Sequence, residues 1–356
     1  MSLKPAELMR HVSWRKVLIL AASVLLFIVA LRLMQAGARG LEPLVRDVLK
    51  VSGPVSGMGF GWLLAYVVLS GSPAAAAALT LFDVGVVDHY SAFAMITGSR
   101  MGASLIVLFI GLLYVLRGHE RLASLATGLL SLLVTATVYL PALPLGLWLL
   151  SIDRFGLMEM NMSMSGDSLL DRLVNPAIDF AARLLPDWAI FLIGVGIIIS
   201  SFNLFDKVLP DRMLKDSAFD QLSRLLYRPI VTFMLGLVVT LVTMSVSVSL
   251  GLLVPLSVRG YVRHENVVPY IMGCNISTFV DTLLAGLLLG NPGAAAIVLA
   301  QMSSVFVISL LIILFAFVPY ERYVLRMVLW LSGSTARLVV FFAVIFLLPV
   351  ALLIFG

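Results

Sequence analysis

The chain of 356 residues is poor in cysteine, histidine and charge. Its single cysteine, Cys274, excludes an internal disulfide and any multi-cysteine metal site. Its four histidines are scattered with no metal-ligand spacing, and no nucleophile–base pattern accompanies them. An enzyme is therefore not expected, and no cofactor is implied. Charged side chains make up 12% of the chain, about half the share of a soluble domain. Apolar residues fill the space, at 61%. They form several runs longer than the roughly 18 residues that cross a hydrocarbon core of about 30 Å. This is the composition of an all-α polytopic membrane protein. The run after "SWRK" begins late and lacks a small-residue cleavage site, so it does not read as a removable leader. The net charge of +5 fits basic loops on one side of a bilayer, with no need for a nucleic-acid partner.

A first span is expected at 14–34, followed by an interfacial helix at 41–51, "LEPLVRDVLKV". Full spans follow at 90–116, 123–150, 187–204, 266–290, 294–319 and 336–356. Residues 59–82 and 230–257 are apolar too, but small polar residues interrupt each in its middle. Lys4, Arg10, Arg15 and Lys16 place the N-terminus in the cytoplasm, in a cell inner or plasma membrane. The connections 117–121, 205–228 and 320–336 then fall inside with their basic residues, and 151–186 falls outside. This holds if both interrupted regions return to the side they entered from. Arg32, Arg39, Arg46 and Lys50 run against the trend, on the outer side.

A shift of 175 residues superimposes the chain on itself. Gly61 meets Gly236, Ser70 meets Ser245, Ser72 meets Ser247, His89 meets His264 and Gly98 meets Gly273. Fourteen identities occur over 53 positions without a gap, where roughly four arise by chance. Three full spans separate the two interrupted regions, so the second copy enters from the opposite face. That is an inverted repeat, a plan frequent among secondary transporters. The chain then divides into 1–54, with the first span and interfacial helix; a first repeat, 55–150; an extracytoplasmic loop, 151–186; a second repeat, 187–319; and a C-terminal loop and extra span, 320–356.

Each interrupted region reads as a re-entrant hairpin, with Pro73 opening the second half of the first. The tips carry Ser70 and Ser72, and Thr240, Thr243, Ser245, Ser247 and Ser249. Beyond each tip a full span holds "TGSRMGAS" (97–104) or "MGCNISTFVDT" (272–282), which predicts two locally unwound helices. Arg100 and Asp281 are ionisable residues at membrane depth, and such residues mark functional sites by default. One reading has Arg100 binding an anionic solute and Asp281 a coupling cation. The other has the two forming a buried pair that locks the halves together. Asp83 and Asp88 read as solvated, His89 and His264 as interface packing, and "QMSS" (301–304) as a helix contact.

"TLVTMSVS" (240–247) and "GCNISTF" (273–279) resemble paired motifs of the sodium-dependent phosphate cotransporters. In that family two inverted repeats each carry Thr-x-x-x-Gln-Ser-Ser-Ser on a hairpin, then Gly-Ala-Asn-Ile-Gly-Thr-Thr on a helix. Thr240, Ser245, Ser247, Gly273, Asn275, Ile276 and Thr278 match. "LSGSP" (69–73) and "GSRMGAS" (98–104) echo the motifs in the first repeat through Ser70, Ser72, Gly98 and Gly102. Leu69 and Met244 stand where the motif has glutamine, and Arg100 where it has asparagine. The resemblance covers roughly 55–115 and 230–320. It implies a monomeric or homodimeric symporter binding sodium and phosphate at its hairpin tips. The expected solute site is Ser70, Ser72, Arg100, Ser245, Ser247, Asn275 and Thr278, with Thr240, Thr243 and Asp281 for the coupling ion. An uncoupled channel or exporter, and an assembly protein reusing the fold, remain alternatives.

Overall fold

The computed structural model describes residues 14–116, 121–152, 183–206, 229–243, 249–250 and 264–356, with 176, 178 and 180. Every regular element among them is helical. Helix α1 is Trp14–Ala38, α2 Pro54–Val68, α3 Gly71–Asp83, α4 His89–Leu116, α5 Arg121–Ser151 and α6 Asp187–Asp206. Then come α7 Pro229–Thr243, α8 His264–Ser277, α9 Phe279–Leu289, α10 Pro292–Leu311, α11 Phe317–Ser332 and α12 Thr335–Phe355. Among the described residues, seven helical stretches are long and apolar enough to cross a membrane. The chain is an all-helical, multi-pass membrane protein. Its exposed surface suits lipid: Val339, Val340, Leu347, Ile354 and Phe355 of α12 all lie open. Helix α4 is the most enclosed of the seven and α12 the least.

Helices α2 and α3 are each too short to span. At 1.5 Å per residue, α2 reaches about 22 Å and α3 about 20 Å. Helix α2 packs along α4 in a rising register. A methyl group at Gly57 would press on the Ser91 carbonyl, one at Gly61 would collide with that of Met95, and one at Gly102 with that of Trp62. The two helices therefore run parallel and nearly touch at the backbone. Helix α7 meets α8 in the same way. Gly236 abuts the Tyr270 carbonyl as Gly61 abuts Met95, and Gly273 abuts Phe233 as Gly98 abuts Met58. Each of these pairs of positions differs by 175.

Several expectations are corrected. Helix α4 is continuous from His89 to Leu116 and is not unwound at "TGSRMGAS". Its glycines serve close packing, and Thr97, Ser99 and Ser104 reach back to carbonyls three or four residues earlier. The counterpart span does lapse, for the single residue Thr278 between α8 and α9. The first interrupted region starts at Pro54, not 59, and Pro73 is the third residue of α3, not its first. The segment 41–51 is not a regular α-helix. A short 3-10 turn, Arg39–Leu41, leads to a π-turn, Pro43–Val48, pinned by Arg46 to the carbonyls of Gly85 and Val86. The segment 320–336 is not a loop, because the helix after Leu311 continues through a π-turn into α11. Beyond Thr243 only Ser249 and Leu250 of the second interrupted region are described.

Candidate functional site

The break between α2 and α3 takes two residues. Leu69 adopts a left-handed conformation at φ 53°, and Ser70 is extended. A leucine held there costs about 1–2 kcal/mol, and such strain persists only where surrounding structure imposes it. The turn drives the N-terminus of α3 against α4, where Gly71 packs on Ser99, Arg100 and Ala103. The N-terminus of α9 arrives at the same guanidinium from the other half of the chain.

Arg100 is 5% exposed and spends four of its five donors on protein. Nη1 donates to Ser72 Oγ and Thr278 Oγ1, both at 3.1 Å. Nη2 donates to Thr282 Oγ1 and lies 3.4 Å from Asp281 Oδ1. The Phe279 ring lies beside the guanidinium, 4.9 Å from Cζ to the ring centroid, within cation–π range. Asp281 is equally buried, and its Oδ1 also accepts from Thr282. The pair is not the two-bond fork that makes a strong Arg–carboxylate lock. Asp281 Oδ2 has no partner, nor do Arg100 Nε and Asn275 Nδ2. A buried unsatisfied polar atom costs about 1–3 kcal/mol, and more when charged.

The N-termini of α3 and α9 reach the centre, but the C-terminal ends of α2 and α8 immediately precede them, so the opposite end charges largely offset. Arg100 and Asp281 offset each other, so the centre carries no net side-chain charge. Its unused donors suit an anion or water, and Asp281 Oδ2 suits a cation, a proton or water. Among the described residues no three His, Cys, Asp or Glu side chains gather to hold a metal ion.

Of the expected solute residues, the structure joins Ser72, Arg100 and Thr278 directly. Asn275 sits one turn before Thr278 and is reached through Thr135, whose Oγ1 lies 3.4 Å from Asn275 Oδ1 and 3.1 Å from Ser104 Oγ. Ser70 occupies the cap position of α3, but its side chain makes no capping bond. Ser245 and Ser247 lie outside the described residues, as does the side chain of Thr243. The expected coupling-ion trio is not assembled. Thr240 donates to Ser249, in a separate cluster with Tyr270 and Cys274, while Asp281 keeps company with Arg100.

Other residues gained a place that sequence reasoning did not foresee. Tyr139 donates to the Asn275 carbonyl at 2.8 Å, just before the helical bonding lapses. Thr282 completes the Arg100 shell, and its position four residues after Thr278 was the available signal. The helix contact expected of "QMSS" is the Thr97–Gln301 bond, which joins α10 to α4. Asp83 is more than a solvated acid, because it accepts from Gln35 and Asn291 and ties α1 to the α9–α10 connection. Asp88 caps α4 through the Ser91 amide. The His89 ring packs at a tilt against Tyr90, and the His264 side chain lies outside the described residues.

Compared with protein-family models, curated proteins and solved structures, the chain matches none.

Proposed function

We propose that this protein is a secondary transporter that moves a small anion, phosphate first among them, coupled to sodium ions or protons. The fold it implies is two inverted repeats, each with a re-entrant hairpin beside a spanning helix. The observation that carries this reading is the Arg100 centre. A buried arginine meets the start of α3 and the lapse at Thr278, and donor and acceptor atoms around it are left unfilled. The matched glycine contacts of the α2–α4 and α7–α8 pairs support the repeat. The parallel run of α2 and α4 supports a hairpin, since α3 must return between them. The phosphate preference rests on the motif resemblance and on the suitability of a planar guanidinium for an oxyanion.

A second reading has an observation of its own. Arg100 spends four donors on protein, as a lock between halves in a non-transporting assembly protein would. Reconstitution separates the two. Purified protein in liposomes should accumulate labelled phosphate under an inward sodium or proton gradient. Absence of uptake under both gradients, for phosphate and for a panel of small anions, would sink the transport reading.

A further inference from the structure

Thr127, Ser131, Thr135 and Tyr139 recur every four residues along α5, and each is at most 1% exposed. That spacing puts them on one slowly winding face of the helix. Two are occupied: Thr135 by Asn275 and Ser104, and Tyr139 by the Asn275 carbonyl. Thr127 Oγ1 and Ser131 Oγ have no hydrogen-bond partner. Buried helical hydroxyls ordinarily bond back to a carbonyl three or four residues earlier. Thr80, Thr97, Ser99 and Ser304 all do so here.

Two further groups share the condition. Ser309 Oγ, on α10 which packs on α5, is buried and unpartnered. Asn275 Nδ2, at the upper end of the face, is also unpartnered. Four buried polar groups without protein partners, on helices that pack together, call for water. The α5 members extend from the Asn275 level toward Arg121, and Thr127 to Thr135 alone covers about 12 Å of helix.

We propose that this face of α5 lines a file of water between the Arg100 centre and the Arg121 end of the helix. Resting on the transport reading, the file is the route by which solute or coupling ion passes between the centre and that side of the membrane.

The test is substituted-cysteine labelling. Thr127→Cys and Ser131→Cys, each in a Cys274→Ala background, are placed in vesicles and treated with a small water-soluble methanethiosulfonate. His119→Cys, between α4 and α5, reports which side the reagent reaches. Both positions should label from the His119 side, about tenfold or more faster than Ala78→Cys, an equally buried position on α3. Labelling no faster than at Ala78→Cys, while His119→Cys reacts, overturns the proposal. A second readout uses the native chain. Radiolysis of water should oxidise Leu130, three residues after Thr127, more than the equally buried Leu79 of α3, the same side chain away from this face. Equal oxidation also overturns it. Neither readout uses a substrate. A dry face with working uptake removes this inference alone, and a wet face without uptake counts against transport alone.

Discussion

Helix α2 meets α4 through Gly61 and Gly98, and α7 meets α8 through Gly236 and Gly273. The two seams bring backbones equally close at positions 175 residues apart. At the centre they part ways. Arg100 on α4 corresponds to Asn275 on α8, and Ala103 to Thr278. The first helix runs unbroken past its charge, and the second lapses at Thr278. One half thus supplies the cation. The other supplies the carboxylate and two hydroxyls, through Asp281, Thr278 and Thr282. The glycine contacts match and the residues that touch at the centre do not, so the centre is asymmetric where the two seams are alike.

The comparison breaks most completely if the charge is removed. Arg100→Asn makes the first half copy the second and strands Asp281 in a buried site. Losing one partner of a buried pair costs about 3–5 kcal/mol. Thermal unfolding of the purified protein in detergent should show that loss, and Arg100→Asn with Asp281→Asn should recover most of it. Phosphate uptake should be lost in both variants. Uptake surviving in the double variant would make the pair a lock and nothing more. Next in size is Thr278→Ala, which makes the second half copy Ala103. It removes a hydrogen bond to a charged group and should cost about 1.5–3 kcal/mol in the same unfolding assay.

The seams themselves should respond alike. Gly98→Ala and Gly273→Ala each press a methyl group into a carbonyl, of Met58 and Phe233 respectively. Each should lose about 1–3 kcal/mol to overpacking. Gly196→Ala, with nothing nearby, should instead gain up to about 1 kcal/mol of helix propensity. A large loss at Gly98 with none at Gly273 would break the correspondence between the pairs.

Much of this organisation is legible in the sequence. The spans follow from apolar run length, and the 175-residue offset recurs in the glycine contacts because backbone proximity admits nothing larger. Arg100 and Asp281 stand out as charges at depth, and they lie 3.4 Å apart. What escapes has physical reasons. Glycine and serine in "TGSRMGAS" suit an unwound helix and a tightly packed one equally, and only the neighbouring backbone of α2 decides. Thr135 and Tyr139 sit on a span with no motif and no repeat partner, so nothing local marks them as neighbours of Asn275. The helix beyond Leu311 continues through residues polar enough to look like a loop, because α11 has one buried side, at Val324, Val328 and Leu331.

The smallest structural effect should fall at Ser72, and it discriminates best between a site and a lock. Ser72 is half-buried at the start of α3 and accepts one bond from Arg100 Nη1. Water can replace the hydroxyl, so Ser72→Ala should cost about 0.5–1 kcal/mol, near the limit of a thermal-unfolding measurement. If the hydroxyl instead orients Arg100 toward a solute, the same variant should weaken phosphate half-saturation about tenfold while leaving the unfolding temperature almost unchanged. A lock offers no reason for such a split. Uptake and stability that stay level together at Ser72 would leave the guanidinium answering only to Thr278, Asp281 and Thr282, as a lock does.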